Sequence, residues 1–135
     1  MNYQDYIRSI QETEQLAQNG KLKDAVDAYY KLILSEISDI DKAGLCAALA
    51  LVYDKLGNTE EALSWFDKGI AYDQTYSRFG VAEKKAQYLS TIGRSSAGVA
   101  IYEELVKQPY VSEVDKERMR QMTKTLLSKS LGGWQ

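Results

Sequence analysis

Three glycines set the rhythm of this 135-residue chain. Gly20, Gly57 and Gly93 each close one amphipathic stretch just before another begins, and they stand 37 and 36 residues apart. The clearest copy of the pattern is Leu45–Ile70, LCAALALVYDKLGNTEEALSWFDKGI, which reads as two amphipathic helices joined at Gly57-Asn58. A helical hairpin of this size cannot bury its apolar side alone. Hairpins that recur at a fixed period therefore have to pack on one another. That commits the chain to an all-α fold, and a single proline, Pro109, is what such a fold tolerates.

Taken in order, the spacing predicts seven helices. Residues 3–18 carry Tyr6, Ile10, Thr13, Leu16 and Ala17 on one side, and Asn19-Gly20 ends them. A second helix over 23–35 has Ala25, Val26, Tyr29, Leu32 and Ile33 as its stripe. Ser38, three residues before Asp41, signals the start of a third helix over 39–56. Leu45, Cys46, Ala48, Leu49, Leu51, Val52 and Tyr53 make that helix apolar on more than one side, as expected of a helix held between neighbours. Thr59, followed by Glu60-Glu61, is expected to cap a fourth helix that buries Ala62, Leu63, Phe66 and Ile70. A fifth over 77–92 has Ala82, Ala86, Leu89 and Ile92, and Ser95 is expected to cap a sixth with Val99, Tyr102, Leu105 and Val106 inward. Pro109 forbids continuation, and Ser112 with Asp115 opens a last helix to about residue 130, leaving 131–135 as a loose tail.

Composition narrows the function classes. The chain is long enough for one domain with a real core, and no apolar run approaches the length of a membrane span. Its first residues lack the basic-then-apolar pattern of a secretory signal, and one cysteine excludes an internal disulfide framework, so a cytoplasmic location is expected. With no histidine, the commonest general base and metal ligand is missing, and no phosphate-binding glycine motif is present. The expectation is a non-enzyme with no metal and no cofactor; a carboxylate enzyme stands as the remote alternative. A net charge of −2 creates no global attraction for nucleic acid. In the last helix, Lys116, Arg118, Arg120, Lys124 and Lys129 are interleaved with Glu113, Asp115 and Glu117, which reads as a solvated surface rather than a nucleic-acid or membrane-binding one.

The segment Ala43–Tyr76 resembles a tetratricopeptide repeat. Leu49, Ala50 and Tyr53 stand at that pattern's Leu, small and Tyr positions; Gly57 is at the turn; Ala62, Phe66 and Gly69 match the second helix. Cys46 replaces the usual Trp and Gln74 the closing Pro. Flanking units resemble it less closely, through Leu16, Gly20, Leu22, Ala25, Tyr29 and Leu32, and through Ala86, Leu89, Gly93, Gly98 and Tyr102. The resemblance implies one domain over 1–135: a right-handed α-solenoid of three hairpins (about 6–39, 43–76 and 79–111) closed by a capping helix at about 113–130. Small residues at the helix crossings, Ala50 with Ala62 and Ala86 with Gly98, would let backbones approach closely.

It also implies a function. First helices of successive units line a concave groove that receives a peptide or partner helix. Carried over by position, the groove residues are Ile7, Ile10, Glu14 and Gln18, then Ala47, Leu51, Asp54 and Lys55, then Glu83, Gln87, Ser90 and Thr91. An apolar strip at Ile7, Ile10 and Leu51 beside Glu14, Asp54 and Glu83 would favour a ligand with an apolar anchor and a basic or neutral flank. The Lys, Arg and Asn clamp by which some repeats of this family hold acidic chaperone tails is missing; of the suitable types only Lys84 is present. A homodimer through a terminal helix or a tyrosine patch is the runner-up. Tyr29, Tyr53 and Tyr102 are expected in the core, and Tyr3, Tyr6, Tyr72, Tyr76, Tyr88 and Tyr110 carry no assignment, some of them being candidates for an exposed patch. Cys46 is expected to be a small buried hydrophobe.

Overall fold

The computed structural model describes the backbone of residues 2–132 and the side chains of residues 2–128. Among the described residues there are seven helices and no strand. These are α1 (Tyr3–Gln18), α2 (Leu22–Ile33), α3 (Asp39–Lys55), α4 (Thr59–Gln74), α5 (Gly80–Thr91), α6 (Ser95–Leu105) and α7 (Glu113–Gly132). Leu131 and Gly132 continue α7, and the rest of the expected tail, 133–135, lies outside the described residues.

The three hairpin turns are built alike. Gly20, Gly57 and Gly93 have φ of +78°, +79° and +84°, a left-handed conformation that a Cβ would strain. Behind each, two backbone bonds close the helix end. Lys21, Asn58 and Arg94 donate to the carbonyls of Leu16, Tyr53 and Leu89 at 2.9, 2.9 and 2.7 Å. The glycines themselves donate to Ala17, Asp54 and Ser90 at 3.2, 2.8 and 3.1 Å. This paired 6→1 and 5→2 arrangement uses carbonyls that the helix end would otherwise leave unpaired. The recurrence at 37 and 36 residues is thus a recurrence of geometry as well as of residue type.

Helix starts are set by short polar side chains. Asn2 Oδ1 accepts from the Asp5 N–H at 2.9 Å, Ser38 Oγ from Asp41 at 3.1 Å and Ser112 Oγ from Asp115 at 3.1 Å. Two expected caps differ. The cap of α4 is Asn58, whose Oδ1 accepts from the Glu61 N–H at 3.2 Å, because a three-residue turn leaves Thr59 already inside the helix. In α6 the cap position belongs to Arg94, with no side-chain bond, and Ser95 Oγ sits 3.3 Å from Ser90 Oγ instead.

The start of α5 also differs from the expected residue 77. Ser77 has φ +54° and closes α4 in the manner of the glycine turns, with Arg78 donating to the Asp73 carbonyl at 3.0 Å and Ser77 to Gln74 at 3.1 Å. The buried Asp73 carboxylate then accepts the Val81 N–H at 3.0 Å, and Arg78 Nε lies 3.8 Å from it. One acid therefore both ends α4 and anchors the first turn of α5.

Packing divides the chain into two compact units, residues 1–81 and 82–135. In the first, α1 packs on α2, and α3 packs against both α2 and α4. Burial of Ala43, Leu45, Cys46, Ala47, Leu49, Ala50 and Val52 leaves α3 enclosed on more than one side. Gly69 of α4 lies so close to α3 that a Cβ would stand 3.0 Å from the Ala43 carbonyl oxygen and 3.2 Å from Cys46 Cβ. In the second unit a Cβ at Gly98 would stand 2.6 Å from the Ala86 carbonyl oxygen and 3.5 Å from Leu126 Cδ1; α6 packs on α7, and Tyr102, Leu105, Met119 and Leu126 of these helices are buried. The second crossing is the expected pair, Ala86 with Gly98; at the first the close approach is made by Gly69 against Ala43 and Cys46, while the expected pair, Ala50 and Ala62, is buried. Tyr29 and Tyr102 are buried and Tyr53 half-buried; of the tyrosines left unassigned, Tyr6, on the apolar stripe of α1, and Tyr88 are buried, while Tyr3, Tyr76 and Tyr110 are exposed.

Candidate interaction surface

Within the first unit, α1 and α3 bound an open cavity of about 230 Å³. Ile10 and Glu14 enter it from α1 and Leu45 and Ala48 from α3, with Ile40, Asp41 and Gly44 at the α3 start and Tyr6 and Tyr29 at the back. Ile40 is 39% exposed although apolar. The two tyrosines report the local field. Burial, and after it the charge of the neighbouring Asp41 carboxylate, pushes the Tyr6 pKa up to about 12. Burial, and after it the charge of Glu14, raises Tyr29. Both tyrosines stay neutral hydroxyls beside two carboxylates.

The positions expected to line one groove are distributed as follows. Ile10 and Glu14 share the α1–α3 cavity, while Ile7 lines a separate hollow on α1 with Tyr3, Gln4, Arg8 and Gln11. Gln18, Lys55 and Leu51 are exposed, Leu51 at 48%, and Asp54 is half-buried. Ala47 is buried at 2% exposure, so its methyl belongs to the core. In the second unit, Glu83 is engaged by Arg118 of α7, whose two guanidinium nitrogens donate to its two oxygens at 2.6 and 3.1 Å. Gln87 donates to the Tyr102 hydroxyl at 3.5 Å, Ser90 faces Ser95, and Thr91 Oγ1 donates back to the Gln87 carbonyl at 3.0 Å. Glu83 thus ties down the last helix; its charge is spent there rather than offered to a ligand.

Of the residues lining this cavity only Ile10 and Glu14 were expected in a groove; Tyr6, Tyr29, Leu45 and Ala48 read as helix-stripe or core residues, and Ile40, Asp41 and Gly44 as neither. Asp41 looked like a helix-start residue, which it also is; Ile40 and Gly44 gave no periodic signal. A glycine in the middle of a helical pattern was the available clue.

A larger cavity, about 570 Å³, opens between α2 and α4. Tyr30, Ile33 and Leu34 form one wall, and Trp65, Lys68 and Tyr72 the other. Tyr30 meets Trp65 edge-on, with ring centroids 6.0 Å apart at 87°, and Lys68 Nζ stands 3.9 Å above the indole. Leu34 is 67% exposed there. The indole N–H is buried without a hydrogen bond of good geometry, although its proximity weakly opposes the upward shift that burial gives Tyr53.

Cys46, fully buried on α3, has its thiol pushed up to about 11 by burial, which keeps it protonated and unreactive. Among the described residues no group of three acids or thiols could hold a metal ion, and no helix is long and apolar enough to cross a membrane. Comparison of the chain with protein-family models, with curated proteins and with solved structures finds no match.

Proposed function

We propose that this chain is a non-catalytic interaction module of tetratricopeptide-repeat type, which holds a peptide or partner helix on the face made by α1 and α3. The observation that carries the reading is the threefold recurrence of one hairpin turn, with the same left-handed glycine and the same pair of backbone bonds, at nearly constant spacing. Close helix crossings at Gly69 and Gly98 support it, because such hairpins stack through small residues. On this reading the hairpins form a right-handed solenoid in the cytoplasm, where a lone buried thiol is at ease. The binding face has open apolar surface at Ile10 and Ile40, flanked by Glu14 and Asp41, and continues to the exposed Leu51, about two helical turns along α3 from Gly44.

Affinity capture followed by mass spectrometry tests it. Ile10→Glu and Leu51→Glu are expected to abolish capture while helicity and melting stay as in the parent, since neither side chain is fully buried. Undiminished capture by a folded variant refutes the reading. Self-assembly is the second reading, favoured by Tyr3 at 76% and Val114 at 82% exposure on α1 and α7. Sedimentation as a monomer at high micromolar concentration disposes of it.

A further inference from the structure

We infer that the α1–α3 face selects a basic peptide, one carrying Lys or Arg next to an apolar side chain, and that the peptide backbone passes over Gly44. This rests on the reading of that face as a peptide site and specifies its ligand.

Gly44 is the first ground. It lies within α3, where glycine weakens a helix relative to alanine, and it is exposed. A Cβ there would meet nothing within 4 Å, so no packing contact of the chain requires its absence. Gly69, also in a helix, has the opposite surroundings, with three neighbours at 2.9, 3.0 and 3.2 Å from the position of a Cβ. Space left open by a missing side chain at a cavity wall is space into which a second backbone can come close.

Charge is the second ground. Glu14 and Asp41 stand on opposite sides of the same cavity, and among the described residues no Lys or Arg forms an ion pair with either. Asp41 is held in place by the Ser38 hydroxyl, which donates to its carboxylate at 2.9 Å, with Tyr6 beside it in the same cavity. An acceptor already oriented by the protein loses little freedom when it binds a cation. Ile10, Leu45 and Ala48 supply the apolar floor beside it. The wider field agrees: residues 1–81 hold thirteen acids against eight Lys and Arg, whereas 82–135 hold six against nine. A basic ligand is steered to the first unit, and an acidic one is repelled there.

The experiment pans a displayed library of short random peptides against the full chain and against Gly44→Phe, Glu14→Lys and Leu51→Glu. The parent should enrich sequences with Lys or Arg within a few positions of an aliphatic or aromatic residue. Gly44→Phe should lose that enrichment while its helicity and Tm remain at or above the parent's. Glu14→Lys should weaken the selected peptides by roughly tenfold at low salt, and less at high salt. Enrichment of neutral or acidic peptides that Leu51→Glu still abolishes overturns the basic-ligand assignment and leaves the groove reading standing. Enrichment that neither Gly44→Phe nor Leu51→Glu disturbs sinks both, as does no enrichment at all. If Gly44→Phe instead dissociates a dimer seen by sedimentation, the occupant is a second copy and the peptide assignment falls.

Discussion

Gly98 at the α5–α6 crossing and Gly44 on the open side of α3 are both helical glycines, and their surroundings are opposite. At Gly98 the neighbouring backbone occupies the space of a side chain, with the Ala86 carbonyl oxygen 2.6 Å from where a Cβ would be. At Gly44 that space is empty to 4 Å. Intrinsic propensity penalises both alike, so the difference lies wholly in tertiary surroundings. A glycine enclosed by its own chain reports on folding. One facing open space on a cavity wall has no such reason within the chain, and it is the residue over which the proposed peptide would pass.

The contrast is broken most easily at its closed end. Gly98→Ala should destabilise by about 2–3 kcal/mol, the usual range for overpacking, because the opposing atom is backbone and cannot rotate away. Thermal denaturation should show Tm lower by roughly 10 °C. An unchanged Tm would mean the crossing is looser than the 2.6 Å approach implies.

Next in size is an alkaline weakening that samples both kinds of surroundings. Cys46 packs beside the closed Gly69, and Tyr6 lines the cavity at the open Gly44. Their pKa values rise on folding, from 9.0 to about 11 and from 10.0 to about 12. The folded chain therefore keeps protons that the unfolded chain has released. Stability from these groups is complete below pH 9 and falls between about pH 9 and 12. Denaturant titrations across that range should show Cys46→Ala flattening the lower part of the decline and Tyr6→Phe the upper part. A profile that neither variant changes would show that other groups govern alkaline unfolding.

Gly69→Ala should cost less than Gly98→Ala, about 1–2 kcal/mol, because its nearest atom, Val81 Cγ1 at 2.9 Å, belongs to a side chain and its backbone neighbour, the Ala43 carbonyl oxygen, stands at 3.0 Å rather than 2.6 Å. Cys46 Cβ is also in the way at 3.2 Å, so the substitution should loosen the thiol's surroundings. Alkylation of Cys46, slow in the parent, should speed up in proportion to the loss of stability. Alkylation at the parent's rate in a destabilised variant would separate the thiol from this crossing.

What the sequence disclosed follows from how local each determinant is. Gly20, Gly57 and Gly93 were legible because a left-handed residue at a helix end is a one-residue problem with one common solution, and Ser38 and Ser112 because a cap acts within three residues. Ser77 solves the same end problem without glycine, held by Asp73, whose other partner Val81 is eight residues away; no local pattern announces that. The hidden part of the candidate surface lies on α3. A helix apolar on several sides gives no periodic sign of which side stays open, so Ala47 and Leu51 look equivalent although one is 2% and the other 48% exposed. Glu83 looked free because Arg118, which neutralises it, is 35 residues on. Charge pairing at that distance is a product of the fold.

The smallest expected effect bears on the open end of the comparison. Gly44→Ala adds a methyl where nothing stands within 4 Å, and alanine is the better helix residue by roughly 0.5–1 kcal/mol. Stability should therefore rise, with Tm up by roughly 2–4 °C. The unfolded chain contributes in the same direction, because alanine has fewer conformations to lose than glycine. Placed beside Gly98→Ala, the same atom added to the same kind of backbone then acts with opposite sign. A rise in Tm accompanied by weaker binding of the peptides selected on the parent would mean that the glycine is maintained against stability for the sake of a ligand. A fall in Tm would mean that the notch is closed in solution by the chain itself, and Gly44 would then join Gly69 and Gly98 as a packing residue.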